Sequence, residues 1–295
     1  MPNACVILNP AAGSVKDRDA IIERIKALPS TDLRVTSRRG SAEQFTRAAV
    51  AGGCDLVIAA GGDGTLNEVV NSIGAKALHV RVGLLPLGTG NDFARTLELP
   101  TDVEECIELI LAAHTRPIDL VRVTSDCVRY FVNVSAGGFS GLVNDKLTPE
   151  MKETWGPLAY IRSAAAALPE LRAYLTRIAL DNTETISETL YNVIVGNGRF
   201  VAGGIPVAPE AAPDDGLLDL VLIPKRPTLD LALLAPQILM GTHLSSDSVI
   251  YRRASRIAVN SKPGMWFNVD GELVGNEPAV FQVLPRALQF VVGKT

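Results

Sequence analysis

The chain has 295 residues, of which 47% are hydrophobic and 20% are charged, so it has enough apolar material for a packed interior and too little charge for a disordered chain. Its 28 Lys and Arg against 32 Asp and Glu give a net charge of −4, which argues against a general nucleic-acid binder. The three His and four Cys lack the spacing of a zinc site or a CxxC pair. No apolar run is long enough for a membrane-spanning helix.

The first 120 residues alternate short β-branched runs with helical patterns, which is typical of βαβ units and a parallel sheet. Strands are predicted at 6–8, 33–36, 56–60 and 82–87, and helices at 17–28, 42–51, 66–73, 92–97 and 103–113. We expect the four cysteines to be buried as small apolar residues. The sequence does not begin with a signal-peptide pattern, and together these observations predict a cytoplasmic setting.

From about residue 118 the pattern changes to strand-like runs separated by Gly and Pro, which predicts a second, mostly antiparallel β domain. The predicted strands are 130–134, 190–195, 217–223, 257–259, 266–269 and 290–292, and two helical patterns cover 157–176 and 229–240. The composition shift places the domain boundary near residues 120–126, which gives an α/β domain at 1–122 and a β domain at 123–285.

Three glycine-rich segments each stand between a predicted strand and a predicted helix, at 9–14, 61–65 and 88–92. Because the carboxyl ends of parallel strands meet at one edge of a sheet, these loops should line a shared crevice. Glycine and helix N-termini favour a phosphate there, although neither a P-loop nor a dinucleotide fingerprint is present. Asp63 and Asp92 would repel a triphosphate unless Mg²⁺ stood between them; each Asp alone could instead cap its helix.

Five motifs follow one another along the whole chain: Asn9-Pro-x-x-Gly13, Gly61-Gly-Asp-Gly-Thr-Leu-Asn-Glu-Val-Val-Asn71, Pro86-Leu-Gly-Thr-Gly-Asn-Asp-Phe-Ala-Arg95, Asp214-Asp-Gly-Leu-Leu-Asp219 and Asn268-Val-Asp-Gly-Glu272. The set resembles the soluble bacterial diacylglycerol kinases and related lipid kinases, which share a catalytic domain with eukaryotic diacylglycerol and sphingosine kinases. Gly-Gly-Asp-Gly-Thr is shared with NAD kinases, whereas Gly-Thr-Gly-Asn-Asp-Phe and Asp-Gly-Glu single out the lipid kinases.

The resemblance implies a three-layer, Rossmann-like α/β domain that holds ATP and an antiparallel β-sandwich that carries Asp-Gly-Glu, with the active site in the cleft between them. It also implies that a strand at about 286–295 returns to the first domain. Asp63 and Asp92 would hold Mg²⁺ through water. The resemblance also implies that Asp63 is one of the catalytic residues. The residues expected at ATP are Asn9, Gly61, Gly62, Gly64, Thr65, Gly88, Thr89 and Asn91.

Asp270 would be the general base by the same resemblance, and the chemistry agrees, because a primary alcohol is a poor nucleophile until a nearby group takes its proton. Glu272, two residues on, would point to the same side of a strand and could orient the base or reach the metal. The alternative for Asp270 is an exposed Asp-Gly pair in a hairpin turn.

The segment 214–219 carries carboxylates at short spacing around a glycine turn, which suits a hard cation. In the related kinases it forms a second, structural Mg²⁺ site, for which Asp214, Asp215, Leu217 and Asp219 are the candidates here. The spacing does not decide between Asp214 and Asp215, and a solvated turn before a strand is the alternative.

The lipid-binding elements are less specific. Residues 155–160 and the alanine-rich helix after them resemble the segment before a lipid-facing helix in the family, and Lys16, Arg18, Arg95 and Arg162 could meet anionic headgroups. A packed helix and solvated cations are the alternatives. Ser14 stands where several relatives carry Lys, so the basic character there would fall to Lys16.

These observations predict an ATP-dependent lipid kinase that phosphorylates a primary hydroxyl of diacylglycerol to give phosphatidic acid, with phosphatidylglycerol or another lipid alcohol as the alternative acceptor. We expect transient contact with the membrane surface and, as a further option, a homodimer. An NAD kinase and a nucleotide-binding regulator without catalysis are the other hypotheses. The former lacks its later glycine- and serine-rich signature here, and the latter would not need Asp63, Asp92 and Asp270 together.

Overall fold

The structure is a computed structural model that describes residues 3–13, 18–28, 30–74, 79–138, 171–270, 272–276 and 278–293. The chain forms two compact units, the first from residues 1–120 and 285–295 and the second from residues 121–284.

The helices and strands of the described residues are, in chain order, β1 (Ala4–Leu8), α1 (Arg18–Lys26), β2 (Thr31–Val35), α2 (Ser41–Ala51), β3 (Leu56–Gly61), α3 (Asp63–Ile73), β4 (Arg81–Pro86), α4 (Asp92–Thr96), α5 (Val103–Ala112), β5 (Thr115–Thr124), β6 (Val128–Phe131), β7 (Val134–Gly138), β8 (Tyr174–Leu180), β9 (Glu184–Gly196), β10 (Phe200–Val201), β11 (Ile205–Pro206), β12 (Leu218–Pro224), α6 (Thr228–Leu239), β13 (Ile250–Ala254), β14 (Arg256–Lys262), β15 (Phe267–Val269), β16 (Glu272–Gly275) and β17 (Ala279–Val291).

The first unit is built on a parallel sheet in the order β2-β1-β3-β4, and the end of β17 adds to β4 in the same direction through Gln289 and Phe290. Strand β1 is buried along its whole length, as expected for an apolar strand covered on both faces. Residues of α1 and α5 pack against β1 and β3 in one core cluster, which includes Ile25, Ile107 and Ile110.

The strand order reverses between β1 and β3, because the chain moves from β1 to β2 on one side and then crosses to β3 on the other. In open parallel sheets ligands bind outside the carboxyl ends of the strands at such a switch point. Asn9 follows β1 there and Gly61 ends β3. The topology therefore brings two of the predicted loops to the position where a ligand would bind.

The second unit is antiparallel. Strand β9 is its longest paired element: the N-terminal half pairs with β8, and the C-terminal half pairs with β12 and β7. Its core contains a ring cluster in which Phe281 meets Phe131 and Phe267 edge-on, at centroid distances of 6.3 and 5.2 Å. Edge-to-face aromatic pairs each add about 0.5–1.5 kcal/mol beyond their burial.

The predicted fold class is confirmed: a parallel α/β unit precedes an antiparallel, strand-rich one. Several local predictions differ from the structure. The strand predicted at 130–134 is two strands, since β6 ends at Phe131 and β7 starts at Val134. Strand β8 covers the end of the helix predicted at 157–176, where Leu175 and Thr176 alternate between exposed and buried; residues 157–170 lie outside the described residues.

Three of the four cysteines are buried free thiols, as the sequence predicts, and Cys127 is half-buried. Burial raises the pKa of Cys5 to about 12 and that of Cys106 to about 11. Both thiols therefore stay protonated and unreactive near neutral pH.

Candidate active site

The three predicted loops of the first unit lie against one another, and glycine is what lets them do so. A Cβ built on Gly88 would lie 2.4 Å from the Cα of Gly62, and one on Gly13 would lie 2.5 Å from Thr89 Oγ1. A Cβ on Gly61 would lie 2.4 Å from Thr65 Oγ1. Gly88 faces backbone and Gly61 also faces the Cβ of Thr65 at 2.8 Å, so glycine is required at these two positions, whereas rotation of the Thr89 side chain could make room at Gly13.

Gly64 is different from its neighbours. It lies in the first turn of α3, it is exposed, and a Cβ built on it would meet no heavy atom within 4 Å. The space beside the start of this 11-residue helix is therefore open. A helix N-terminus carries a positive dipole end that favours an anion such as a phosphate.

Asp63 joins two of the loops. It is the first residue of α3, and its Oδ1 accepts a hydrogen bond of 3.2 Å from the backbone N–H of Phe93 in α4. The adjacent Asp92 is buried, and Phe93 anchors its helix by packing edge-on against Phe290 at a centroid distance of 5.6 Å. Two carboxylate-bearing residues are thus set on packed helix starts in one unit.

Asn9 and Asn91 use their amides to shape the loops. Asn9 Nδ2 donates to Thr65 Oγ1 at 3.4 Å, and Asn9 Oδ1 accepts from the N–H of Ala11 at 3.0 Å. Asn91, at a φ of 50°, accepts from the Gly88 N–H at 2.9 Å and donates to two carbonyls of the same loop. Asn tolerates this left-handed conformation better than most residues.

Glu68 is a structural residue to which the sequence analysis assigned no role. Its carboxylate accepts hydrogen bonds from the backbone N–H groups of Gly40, Ala42 and Glu43 at 2.9, 2.9 and 3.3 Å, so it caps α2 from α3. The N-cap residue of α2 is Gly40, which has no side chain to cap with. The glycine at the N-cap was the one feature of the sequence that could have indicated that another residue caps α2.

Asp270 lies at the end of β15 in the second unit. Its Oδ1 accepts a hydrogen bond of 3.2 Å from the Val134 N–H, and its own N–H donates to the Val134 carbonyl at 3.3 Å. Its φ is 44°, a left-handed value that few residues other than glycine adopt. This conformation is that of the two-residue turn between β15 and β16, where Val269 pairs with Glu272, so the hairpin named above as the alternative is present and the φ value alone does not single out a catalytic residue.

Glu272 belongs to β16, but its side chain lies outside the described residues, as do Gly271 and the proposed lipid-facing segment 155–160. The same holds for Ser14, Lys16, Arg162 and the side chain of Arg18. Arg95, the remaining predicted headgroup contact, is exposed and donates from Nε to the Gly90 carbonyl at 3.1 Å.

In the segment 214–219 the carboxylates meet an arginine. Asp219 and Arg253 face each other across β12 and β13; Arg253 pairs with Asp215 and approaches Asp219 Oδ2 at 3.6 Å. Tyr251 donates its hydroxyl to Asp219 Oδ1 at 2.5 Å. Burial raises the pKa of Asp219, and the Tyr251 hydrogen bond and the Arg253 charge oppose that rise. The Leu217 N–H donates to Asp215 Oδ1 at 2.9 Å.

We expect an Arg253→Met variant to unfold more easily, because Asp219 is 1% exposed and would lose its counter-charge. The expected loss is on the order of 1–3 kcal/mol, because Asp219 keeps the hydrogen bond from Tyr251 but its buried carboxylate loses its cation. Thermal unfolding without nucleotide measures it. If bare carboxylates at this turn can take a cation, Mg²⁺ will raise the Tm of the variant more than that of the wild type. An unchanged Tm without Mg²⁺ would contradict the role given to Arg253.

Within the described part of the chain, no group of three or more His, Cys, Asp or Glu side chains is arranged to hold a metal ion. A site that binds Mg²⁺ together with a phosphorylated ligand does not need such a cage, because Mg²⁺ is usually bound by one or two carboxylates together with substrate phosphates. None of the described helices combines the length and the apolar character that crossing a membrane requires.

Two family models match the chain. Residues 3–123 match the diacylglycerol kinase catalytic domain, and residues 133–292 match the YegS C-terminal NAD kinase beta sandwich-like domain. Proteins named diacylglycerol kinase from Staphylococcus haemolyticus and Staphylococcus aureus (strain MRSA252) are each 34% identical, over 99% and 96% of this chain and 88% and 90% of theirs. The chain belongs to the diacylglycerol kinase family. The family resemblance carried by the sequence motifs is confirmed, and the chain is a kinase.

Solved structures share the fold of this diacylglycerol kinase family member. A diacylglycerol kinase from Bacillus anthracis has a TM-score of 0.75 at 21% identity, and another crystal structure from that organism has one of 0.84 at 23% identity; both comparisons cover 99% of this chain and 97% of the other. An NAD kinase from Archaeoglobus fulgidus, solved with ATP, has a TM-score of 0.52 at 14% identity over 99% and 93%.

Proposed function

We propose that this protein transfers the γ-phosphate of ATP to the primary hydroxyl of a membrane lipid, with diacylglycerol as the acceptor and phosphatidic acid as the product. The observation that carries the proposal is the glycine contact of the first unit, where the loops after β3 and β4 approach until only Gly62 and Gly88 fit. The curated relatives are named for the same acceptor.

The nucleotide would lie on these loops. The open space at Gly64 and the N-terminus of α3 suit a phosphate, and the neighbouring loop residues would line it. Asn91 would hold the backbone that faces the nucleotide, since its amide is already bonded to Gly88 and Pro86. The proposed ATP contacts are Asn9, Gly61, Gly62, Gly64, Thr65, Gly88, Thr89 and Asn91.

The carboxylates fit a hard cation by their chemistry and placement. Asp63 and Asp92 would hold Mg²⁺ through water, with the phosphates completing its coordination. When bound, Mg²⁺ neutralises phosphate charge, which is the main requirement of phosphoryl transfer. The proposed second ion would use Asp219 with Asp214 or Asp215 and the Leu217 carbonyl, and it would compete with Arg253 for the same carboxylates.

Asp270 would act as the general base. It would take the proton of the acceptor hydroxyl while that oxygen bonds to the γ-phosphorus and the bond to the ADP oxygen breaks. The hydrogen bond from the Val134 N–H holds one carboxylate oxygen in place, which limits the rotation of the side chain. Glu272 would orient this base or reach the metal.

A phosphate-transfer screen tests the proposal. The protein is incubated with Mg²⁺, ATP labelled at the γ-phosphate, and dispersed diacylglycerol, phosphatidylglycerol or soluble NAD, and the products are separated by thin-layer chromatography. We expect label in phosphatidic acid. Label on phosphatidylglycerol would change the acceptor but keep the lipid kinase, whereas label on NAD alone would overturn the proposal. No transfer to any acceptor would favour a nucleotide-binding regulator.

A further inference from the structure

Helix α6 is apolar on two opposite sides, although a helix at the surface of a protein usually has a single apolar stripe. Its inner side packs into the second unit: Leu234 is 2% exposed and joins a core cluster with Val221 and Val249, against which Ile238 also packs. These contacts account for the apolar residues of the inner side alone. The apolar residues of the outer side must therefore be explained separately.

The outer side exposes large apolar side chains. Leu229 is 69% exposed, Leu233 is 59% exposed and Met240 is 68% exposed. Ala232 and Pro236 are also exposed, and the spacing of the five residues is that of one helix side. At about 100° per residue they occupy an arc of about 100° opposite the buried side.

Two cations stand where this stripe begins. Lys225 and Arg226 are both exposed and are separated from the helix only by its N-cap residue Pro227; the N-terminal end of the helix adds a positive dipole. No acidic residue lies in the stripe itself, and the partly exposed Asp230 in the first turn lies beside it and offsets part of the positive charge. An apolar stripe with cations beside it is the pattern by which a helix lies in the interface of an anionic bilayer, with its apolar side chains among the acyl chains.

We propose that this surface docks the enzyme on an anionic lipid bilayer; it is named the α6 surface and consists of Lys225, Arg226, Leu229, Ala232, Leu233, Pro236 and Met240. The inference rests on the proposed function, because a lipid acceptor resides in a membrane that the enzyme has to reach. The cations beside the stripe favour an anionic bilayer as the occupant, and a second copy of the chain is an outcome that the test distinguishes.

Co-sedimentation with lipid vesicles tests the proposal. The vesicles are phosphatidylcholine alone or phosphatidylcholine with about one-third phosphatidylglycerol, a composition that supplies anionic headgroups. We expect the wild type to bind the anionic vesicles, and to bind less as salt rises. The double variant Leu229→Ser, Leu233→Ser should bind them at least about tenfold more weakly, because two side chains that would enter the acyl region become polar. Lys225→Gln with Arg226→Gln should remove the preference for anionic vesicles.

Val128→Ser is the control, since Val128 is 49% exposed on β6 and lies outside both the α6 surface and the segment predicted to face lipid. It should bind vesicles as the wild type does. The Tm of each variant shows whether it folds, and the removed side chains are exposed, so little change is expected.

Wild-type protein that ignores every vesicle would overturn the docking proposal, as would a double variant that binds unchanged. Light scattering tests whether a second copy of the chain occupies the α6 surface instead. If the double variant has a smaller particle mass than the wild type but binds vesicles equally well, the α6 surface is a contact between copies and lipid docking is refuted. Vesicle binding does not require turnover. Failure of the proposed function would therefore show separately, as absent phosphate transfer by a protein that still binds vesicles.

Discussion

An Asp270→Asn enzyme is expected to phosphorylate diacylglycerol about 10²–10⁴-fold more slowly than the wild type, the usual loss when a general base is removed. Asparagine has nearly the same shape, and its amide oxygen can still accept the hydrogen bond that the Val134 N–H gives to Oδ1. What the variant lacks is a group that can take the proton of the acceptor. The backbone at position 270 should keep its left-handed φ of 44°, which Asn tolerates as well as Asp does.

The measurement separates chemistry from binding. Initial rates at saturating ATP and lipid give kcat, and calorimetry gives the Kd for ATP, which should not change because Asp270 is not among the proposed nucleotide contacts. Asp247→Asn, an exposed carboxylate of the same unit, is the control and should keep full activity. An Asp270→Asn enzyme with normal kcat would refute the base assignment while leaving the kinase assignment intact.

Gly88→Ala is expected to damage both folding and nucleotide binding. The new methyl group would lie 2.4 Å from the Gly62 Cα and 2.8 Å from Asn91 Oδ1, and backbone at Gly62 cannot swing aside as a side chain could. Overpacking of this kind costs about 1–3 kcal/mol. Because relief requires the two loops to separate, the KM for ATP should rise by more than about tenfold, equivalent to about 1.4 kcal/mol of lost binding.

Gly64→Ala is the matched variant, since the same methyl group there meets no heavy atom within 4 Å. Its stability should be unchanged or higher by up to about 1 kcal/mol, because Ala favours a helix more than Gly does. The methyl group would nevertheless occupy the proposed phosphate space, so ATP affinity should still fall. Urea unfolding and ATP titration of both variants test the pair. Normal ATP binding by Gly64→Ala would move the phosphates away from the start of α3.

The family and the fold class were predictable because their signals are local. Parallel strands buried on both faces are short apolar runs such as β1, and glycines cluster in the sequence where a loop must approach another backbone closely. The likeness of the motifs to a family added what local patterns cannot supply, which is the expected role of each residue. The site assignments made in this way remain predictions that Asp270→Asn and Gly88→Ala test.

Other features depend on which distant segments come together, and no local pattern encodes that. Glu68 lies in α3 but caps the start of α2, at residues 26 to 28 positions earlier in the chain, so only the packing of α3 against α2 assigns it a role. Arg253 faces Asp219 because β13 pairs with β12 in one register. A shift of one residue would turn the arginine to the other face and leave the aspartate without a counter-charge.

The 12 residues of helix α6 illustrate both what a local pattern predicts and what only tertiary packing decides. The helical pattern of its sequence, rich in Ala and Leu, predicted a helix at about 229–240, and the structure has one at Thr228–Leu239. Which of those leucines the core uses was decided by tertiary structure, which buries Leu234 and leaves Leu229 and Leu233 in solvent. The physical reason is that hydrophobicity is a property of a residue, whereas burial depends on the elements that fold against it.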